Sequence, residues 1–203
     1  MSSRKRVLLG VLGSGRGSNF AAILSSIVSG RLSASIAVVI SDREDAGILG
    51  LAREAQIQTV VLRQGRYRTR LDPDIEEELA QYLRRFQVDL VVLAGFLRVL
   101  KGPLLTAYPR RILNIHPSLL PAFKGKEAWK QALEAGVVET GCTVHWVEPE
   151  VDSGPILGQE RVPICPGDTP ESLHARIQEA EHRLYPDVIQ RVIDRKLWQR
   201  IHS

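Results

Sequence analysis

An amide and an imidazole stand two residues apart in the segment RILNIHPSLLP, residues 111–121. Because side chains alternate across a strand, Asn114 and His116 share one face, with their Cα atoms about 7 Å apart. Pro117 removes a backbone donor and marks the carboxyl end of the strand, where open α/β sheets place their ligands. The pair suits acyl-group chemistry, because the amide can donate to a developing oxyanion and a protonated imidazole adds charge or a proton. The alternative is a histidine packed in the core.

A histidine that is cationic at neutral pH requires a nearby carboxylate, because its unperturbed pKa is about 6.5. The turn VDSGP supplies Asp152, which we take as the candidate partner of His116. An aspartate in a turn ordinarily accepts a hydrogen bond from its own turn, so both interpretations of Asp152 stay open.

A glycine-rich turn, GSGRGSN at residues 13–19, follows the first apolar run. Glycines allow close approach of a ligand, and the free amides of a following helix favour an anion, so the turn predicts a phosphate site. The alternative is a tight turn in which Ser18 caps the helix. The turn lacks the lysine of a P-loop and is one residue short of a dinucleotide fingerprint, although Asp42 stands where that fold requires an acidic residue.

The elements that must position these residues follow from apolar runs that alternate with amphipathic segments. RVLLGVL, ASIAVVIS and VDLVVLAG have the β-branched content of parallel strands covered on both faces, and helix-like segments separate them. We therefore expect an α/β, doubly wound, mostly parallel sheet, made mixed by a hairpin around EVDSGP. The expected organisation is one domain over residues 1–203, with residues 1–6 as a flexible tail.

Composition restricts the remaining function classes. No apolar run approaches the length of a membrane span, so we predict a cytoplasmic protein without a membrane role. The net charge of +4 is spread along the chain, which argues against nucleic acid. The local cluster RQGRYRTR, residues 63–70, suits either an anion site or a solvated loop. The two cysteines fit neither a disulfide framework nor a metal-binding spacing, so we expect no metal.

Five segments occur in order along the chain: GSGRGSN, VVLAGFLRVL, LNIHPSLLP, GCTVHWVEPEVDSGP and QEAEHRLYP. Together, from about residue 7 to residue 192, they resemble the phosphoribosylglycinamide formyltransferases, folate-dependent enzymes of purine synthesis. The resemblance implies a formyltransferase-type, Rossmann-like fold.

The resemblance also implies a catalytic trio and two binding regions. The implied trio is Asn114, His116 and Asp152. The residues implied to hold the substrate phosphate and ribose are Gly17, Ser18, Asn19, Gln178, Glu179, Ala180 and Glu181, the last facing the ribose hydroxyls. The residues implied to hold the folate are Arg70, Leu97, Arg98, Val99, Leu100, Asn114, Glu148, Pro149, Glu150, Val151 and Asp152.

The implied reaction is attack of the amine of N1-(5-phospho-D-ribosyl)glycinamide on the formyl carbon of 10-formyltetrahydrofolate. It gives formylglycinamide ribonucleotide and tetrahydrofolate in de novo purine (IMP) biosynthesis. Asn114 and protonated His116 would stabilise the oxyanion, and Asp152 would hold the imidazolium, without a metal. His145 also occupies a family position, where it either supports the site or packs within its strand. A monomer and a homodimer both remain open.

The chain departs from the family pattern at AFKGKEAW, residues 122–129. Many members carry a proline before this glycine and a histidine after it, so we expect altered detail rather than lost activity. Methionyl-tRNA formyltransferase and formyltetrahydrofolate deformylase share LNIHPSLLP, but each is expected to need a further domain for which this chain has no room. A dinucleotide-binding module and an RNA-binding protein are the alternatives from other classes.

Overall fold

The computed structural model describes residues 6–198, and strands alternate with helices along most of them. The strands are β1 Val7–Leu12, β2 Ala34–Ser41, β3 Thr59–Val61, β4 Leu90–Leu93, β5 Ile112–His116, β6 Glu139–Trp146 and β7 Ile156–Pro163. The helices are α1 Ser18–Val28, α2 Gly47–Glu54, α3 Pro73–Arg85, α4 Pro103–Ala107, α5 Ala128–Glu134 and α6 Pro170–Asp194. Of the tail expected over residues 1–6, residues 1–5 lie outside the described part of the chain.

The seven strands form one sheet in the order β3-β2-β1-β4-β5-β6-β7. Strands β1 to β5 pair in parallel, whereas β6 pairs antiparallel with both β5 and β7. The predicted α/β, doubly wound, mixed sheet with its hairpin is therefore confirmed. Strand order reverses between β1 and β4, and the carboxyl ends at such a switch point form the usual ligand crevice. The glycine-rich turn follows β1 at that point.

Apolar side chains cover both faces of the sheet, which explains the continuous apolar runs in the sequence. On β1, Leu9 and Val11 belong to a core cluster with residues of α1, α2 and α6. Leu12 belongs to a second cluster, with residues of α3 and α4. All four residues of β4 are buried, as expected for a central parallel strand. The rigid centre of the sheet thus carries the loops at its carboxyl edge.

Helix α6 crosses the sheet and is fixed to it by a buried hydroxyl. Its first turn has a capping box in which the side chains of Thr169 and Ser172 each bond to the other residue's backbone N–H. Tyr185 shares its hydroxyl proton between the carbonyl oxygens of Leu93 and Leu113, at 3.0 and 3.1 Å. The helix therefore keeps a fixed position across β4 and β5. Within residues 6–198 no helix is long and apolar enough to cross a membrane.

Candidate active site

Strand β5 presents its amide to a histidine on the neighbouring strand. Asn114 lies opposite His145 in the β5–β6 ladder, and Asn114 Nδ2 is 3.1 Å from His145 Nε2. The other ring nitrogen, Nδ1 of His145, is 2.8 Å from the carbonyl oxygen of Trp146 and must therefore carry its proton. Nε2 then accepts from Asn114. This contact orients the amide, and among residues 6–198 its second N–H has no partner.

The ring of His116 lies between two oxygen acceptors. Its Nε2 is 2.9 Å from the carbonyl oxygen of Phe123, and its Nδ1 is 3.3 Å from Oδ2 of Asp152. Only the imidazolium can donate to both. Burial nevertheless lowers the pKa of His116, and the Asp152 carboxylate raises it by less. The two oxygen acceptors therefore favour the protonated ring, whereas burial away from water disfavours its charge.

Asp152 lies in the turn between β6 and β7 with a backbone φ of 51°, which non-glycine residues rarely adopt. Its carboxylate accepts a hydrogen bond at 2.9 Å from the backbone N–H of Gly125, far away in sequence. Burial raises the pKa of Asp152, but the charge of His116 and the Gly125 N–H help to outweigh it, and that pKa lies below its usual value. The carboxylate thus contacts His116 and the backbone of Gly125, and within residues 6–198 it forms no hydrogen bond to its own turn.

The glycine-rich turn places the N-terminus of α1 at the switch point, and no side chain caps that N-terminus. Gly17 has φ of 89°, and a Cβ on it would lie 2.9 Å from the Cα atom of Ile48, so both conformation and packing require glycine. Helix α1 begins at Ser18, and no side chain caps it, so the alternative in which Ser18 caps the helix is wrong. Its first turn holds no acidic residue. The free amides and helix dipole are thus available to an anion.

A buried carboxyl lies beside this N-terminus. Asn19 Nδ2 donates to Glu181 Oε2 at 2.8 Å, and Glu181 is only 5% exposed. Burial raises the pKa of Glu181 to about 7, against a smaller opposite effect of the Asn19 hydrogen bond. Asn19 Oδ1 is buried without a partner among the described residues. The Glu181 carboxyl and Asn19 Oδ1 can therefore both accept further hydrogen bonds.

The four residues predicted on α6 do not share one environment. Gln178 and Glu181 are three residues apart and lie on one helix face. Ala180 is part of the hydrophobic core, and Glu179 is exposed. Gln178 thus shares the helix face from which Glu181 contacts α1.

A hydrogen-bond network joins the glycine-rich turn to the segment after β4. Ser14 donates to Asp42 at 2.5 Å and accepts from the Leu97 N–H at 2.9 Å. Arg98 donates to the other oxygen of Asp42 at 2.6 Å and to the Tyr67 carbonyl at 2.7 Å. The Asp42 carboxylate is thereby occupied, and the dinucleotide interpretation loses its acidic ribose partner.

The predicted folate residues flank the trio, but their side chains differ in access. Leu97 is 61% exposed, whereas Leu100 is buried in the core and offers a ligand only its backbone. Arg70 forms a bridge to Val99, and its guanidinium lies 3.9 Å from the ring centre of Tyr67. The other predicted side chains here, Glu148, Pro149, Glu150 and Val151, are exposed in the turn that carries Asp152. Exposed apolar side chains and one arginine thus lie on or beside the segments that follow β4 and β6.

The contacts that the sequence did not predict come from the segment 122–129. Phe123 contributes its carbonyl to His116, and Gly125 contributes its N–H to Asp152. Backbone groups leave no signal in residue types, so this part of the site could not be read from the chain. His145 had a signal, because its position on β6 places it beside β5.

The two cysteines lie in different environments. Burial raises the pKa of the Cys142 thiol to about 12, and Cys165 is exposed. Among residues 6–198 no group of three or more His, Cys, Asp or Glu side chains is placed to hold a metal ion.

Comparison with known proteins decides the family. The family described as Formyl transferase matches residues 6–189. The chain belongs to the formyl transferase family. Its resemblance to phosphoribosylglycinamide formyltransferases is confirmed by relatives that carry this name.

Two relatives and one solved structure illustrate the similarity. The human trifunctional purine biosynthetic protein adenosine-3 is 44% identical over 189 residues, which are 93% of this chain and 18% of that protein. Phosphoribosylglycinamide formyltransferase of Haemophilus influenzae is 42% identical over 181 residues, 89% of this chain and 84% of that formyl transferase. Glycinamide ribonucleotide transformylase 1 of Symbiobacterium toebii superposes with a TM-score of 0.88 at 49% identity, covering 93% of this chain and 88% of that one. The chain thus spans under a fifth of the trifunctional relative but most of the single-function ones.

Proposed function

We propose that this chain transfers the formyl group of 10-formyltetrahydrofolate to the amine of N1-(5-phospho-D-ribosyl)glycinamide. The observation that carries the proposal is the position of the trio Asn114, His116 and Asp152. The trio lies at the carboxyl edge of the sheet, between an anion-accepting helix N-terminus and a partly exposed apolar segment. The names of the relatives support the same reaction.

The residues around the trio fit a folate co-substrate. Leu97 and Val151 are large apolar side chains left 61% and 44% exposed on either side of it, which suits a planar ring system. Arg70 keeps its guanidinium on the Tyr67 ring without an ion pair among the described residues, so it is available to a carboxylate. Arg98 is bound to Asp42 and would act by holding its segment in place.

The co-substrate supplies a formyl carbon whose oxygen gains negative charge when an amine adds to it. The tetrahedral intermediate would then collapse by breaking the bond to the folate nitrogen, which takes up the proton that the amine loses. The second N–H of Asn114 would donate to the formyl oxygen. His116 would donate to the same oxygen from Nε2, which now faces the Phe123 carbonyl, so the ligand would replace that acceptor. The new negative charge would raise the pKa of His116 and so retain the proton that burial disfavours.

Asp152 would hold His116 in this orientation from Nδ1 and balance the charge of the imidazolium. On the acceptor side, Glu181 and Asn19 Oδ1 would accept hydrogen bonds from the ribose hydroxyls, and the amides of α1 would hold the phosphate. Binding of the phosphate and the ribose would thus fix the position of the amine, at the other end of the acceptor, relative to the formyl carbon.

The test is an absorbance assay of 10-formyl folate consumption in the presence of the glycinamide ribonucleotide. His116→Ala should remove nearly all turnover, and Asp152→Asn should lower kcat about a hundredfold or more, with KM values mostly kept. Asp45→Asn is the matched control, because Asp45 is an exposed carboxylate paired with Arg43. Full activity of His116→Ala would refute the assignment. Formate release without the acceptor, at the rate seen with it, would make hydrolysis the reaction instead.

The remaining expectations accompany this proposal. We propose a single formyltransferase domain over residues 1–203 that works in the cytoplasm as a monomer or homodimer. Its partners are the two small substrates, and neither nucleic acid nor a membrane is needed. Analytical ultracentrifugation of the purified protein measures the oligomeric state.

A further inference from the structure

A buried carboxylate outside the trio lies at the carboxyl edge of the sheet. Asp42 directly follows β2, and the residue is 6% exposed. Its Oδ1 accepts from the Ser14 hydroxyl, and its Oδ2 accepts from Nε of Arg98, whose side chain is 19% exposed. Each oxygen thus has a donor within the protein. Asp42 therefore connects segments of the chain and is not placed to bind a ligand itself.

Arg98 extends this connection to the loop of residues 63–70. Its Nη1 donates to the Tyr67 carbonyl oxygen at 2.7 Å. The guanidinium carbon of Arg70 lies 3.9 Å from the centre of the Tyr67 ring. Because an aromatic face attracts a cation, the Tyr67 ring sets where this guanidinium lies. Asp42 thus reaches Arg70 through Arg98 and Tyr67.

The segment after β4 also has backbone contacts that do not pass through this carboxylate. The Leu97 N–H donates to the Ser14 hydroxyl oxygen at 2.9 Å. The Val99 N–H donates to the Thr69 carbonyl oxygen at 2.8 Å. These bonds hold the segment in place when the carboxylate is altered. An alteration therefore acts on the contact that the carboxylate orients, which runs from Arg98 to the loop.

The pair of Asp42 and Arg98 supplies orientation more than stability. Burial costs both groups the solvation that they have in water, and this cost offsets much of their mutual attraction. The guanidinium is a planar fork of fixed geometry, so a carboxylate bound at Nε sets the plane in which Nη1 meets the Tyr67 carbonyl. The pair thus fixes a direction, which is what a positioning residue contributes to a binding site.

We propose that Asp42 is a positioning residue for the folate: through Arg98 and Tyr67 it holds the Arg70 guanidinium where the carboxylate end of the folate binds. The proposal rests on the proposed function, which supplies the identity of the ligand. Folates end in a glutamate, whose carboxylates suit an arginine. A guanidinium that is already oriented loses less side-chain freedom on binding, so its contact contributes more affinity. We expect Asp42 to act on folate affinity and not on the chemical step.

The test compares two formyl donors in the absorbance assay: 10-formyltetrahydrofolate and an analogue that ends in a neutral methylamide in place of the glutamate. Asp42→Asn should raise KM for 10-formyltetrahydrofolate about tenfold, the size of one charge-assisted contact, with little change in kcat or in KM for the ribonucleotide. With the analogue, the same variant should behave as wild type. An equal rise in KM with both donors, or a fall in kcat, would overturn the proposal, because a merely structural role predicts either.

A double-mutant cycle tests the route from Asp42 to Arg70. Arg70→Gln alone should raise KM for 10-formyltetrahydrofolate at least as much as Asp42→Asn does, and the double variant should not exceed Arg70→Gln. Effects that multiply would show that Asp42 acts elsewhere and would overturn the proposal. Asp89→Asn is the matched control, because Asp89 is a half-buried carboxylate that accepts from the Leu8 N–H at the amino edge of the sheet. Circular dichroism verifies that each variant is folded.

Direct binding distinguishes this proposal from the proposed function. Calorimetric titration of the full chain with 10-formyltetrahydrofolate should give a Kd about tenfold weaker for Asp42→Asn than for wild type. Normal formyl transfer by the wild type, with unchanged KM and Kd in Asp42→Asn, would overturn the positioning role alone. Folate binding that depends on Asp42, in a wild-type protein that transfers no formyl group to the ribonucleotide, would overturn the reaction and keep the positioning role.

Discussion

Replacing Glu181 by glutamine should stabilise the protein at alkaline pH while weakening its proposed acceptor site. Burial raises the pKa of Glu181 from its ordinary value of 4.5 to about 7, so the folded state binds a proton that the unfolded state releases between these values. The stability contributed by the protonated carboxyl is complete below pH 4.5 and is lost as pH rises through about 7. Above that range the wild-type protein carries a buried charge whose one hydrogen-bond partner in the described part of the chain is Asn19.

The shift sets the size of the effect. A change of about 2.5 pKa units corresponds to roughly 3 kcal/mol of unfolding free energy at 1.36 kcal/mol per unit. Glutamine keeps an oxygen that can accept from Asn19 Nδ2 and carries no charge. The variant should therefore gain up to about 3 kcal/mol over wild type at pH 8.5, or roughly 6–12 °C in Tm for a chain of this size, and much less at pH 5.

Thermal unfolding followed by circular dichroism between pH 5 and pH 8.5 measures this difference. Glu179→Gln is the control, because Glu179 is an exposed neighbour on the same helix. The difference in Tm between Glu181→Gln and wild type should grow with pH, whereas the Glu179→Gln difference should stay flat. A Glu181→Gln difference that does not change with pH would refute the reasoning, as would a variant less stable than wild type at pH 8.5.

Two further predictions concern buried groups away from the substrates. Tyr185→Phe should cost about 1–3 kcal/mol of unfolding free energy in urea titrations, because the Leu93 and Leu113 carbonyls lose their shared donor; an unchanged midpoint would contradict that role. Ellman's reagent should label Cys165 quickly and Cys142 only after unfolding, since burial raises the pKa of the Cys142 thiol to about 12. Two fast thiols in the native protein would show that Cys142 is accessible.

The fold was predictable because its signals are local and repeated. Runs such as VDLVVLAG have no polar side to face water, so they indicate parallel strands between two helical layers. The hairpin was predictable from the turn around Asp152. The short helix α4, Pro103–Ala107, had no periodic pattern long enough to indicate it, and it was missed.

Only the part of the candidate site that consists of side chains was predictable from the sequence. Asn114 and His116 share a strand face, and strand alternation alone brings them together. Their contacts with Phe123 and Gly125 depend on backbone groups of a loop, whose path is set by tertiary packing. The pairing of Asp42 with Arg98 could not be predicted for a similar reason, since it joins residues 56 positions apart.

The two halves of the candidate site differ in how far the chain satisfies its own polar groups. On the catalytic side, Asn114 bonds to His145, and His116 faces both Phe123 and Asp152. On the acceptor side, Asn19 Oδ1 is buried without a partner in the described residues, and Glu181 has one hydrogen bond. A ligand that donates hydrogen bonds to these groups recovers their lost solvation, and an analogue without the donors leaves them buried and unpaired. Discrimination between acceptors should therefore depend more on the ribose hydroxyls than on the trio, which any formyl acceptor would meet in the same way.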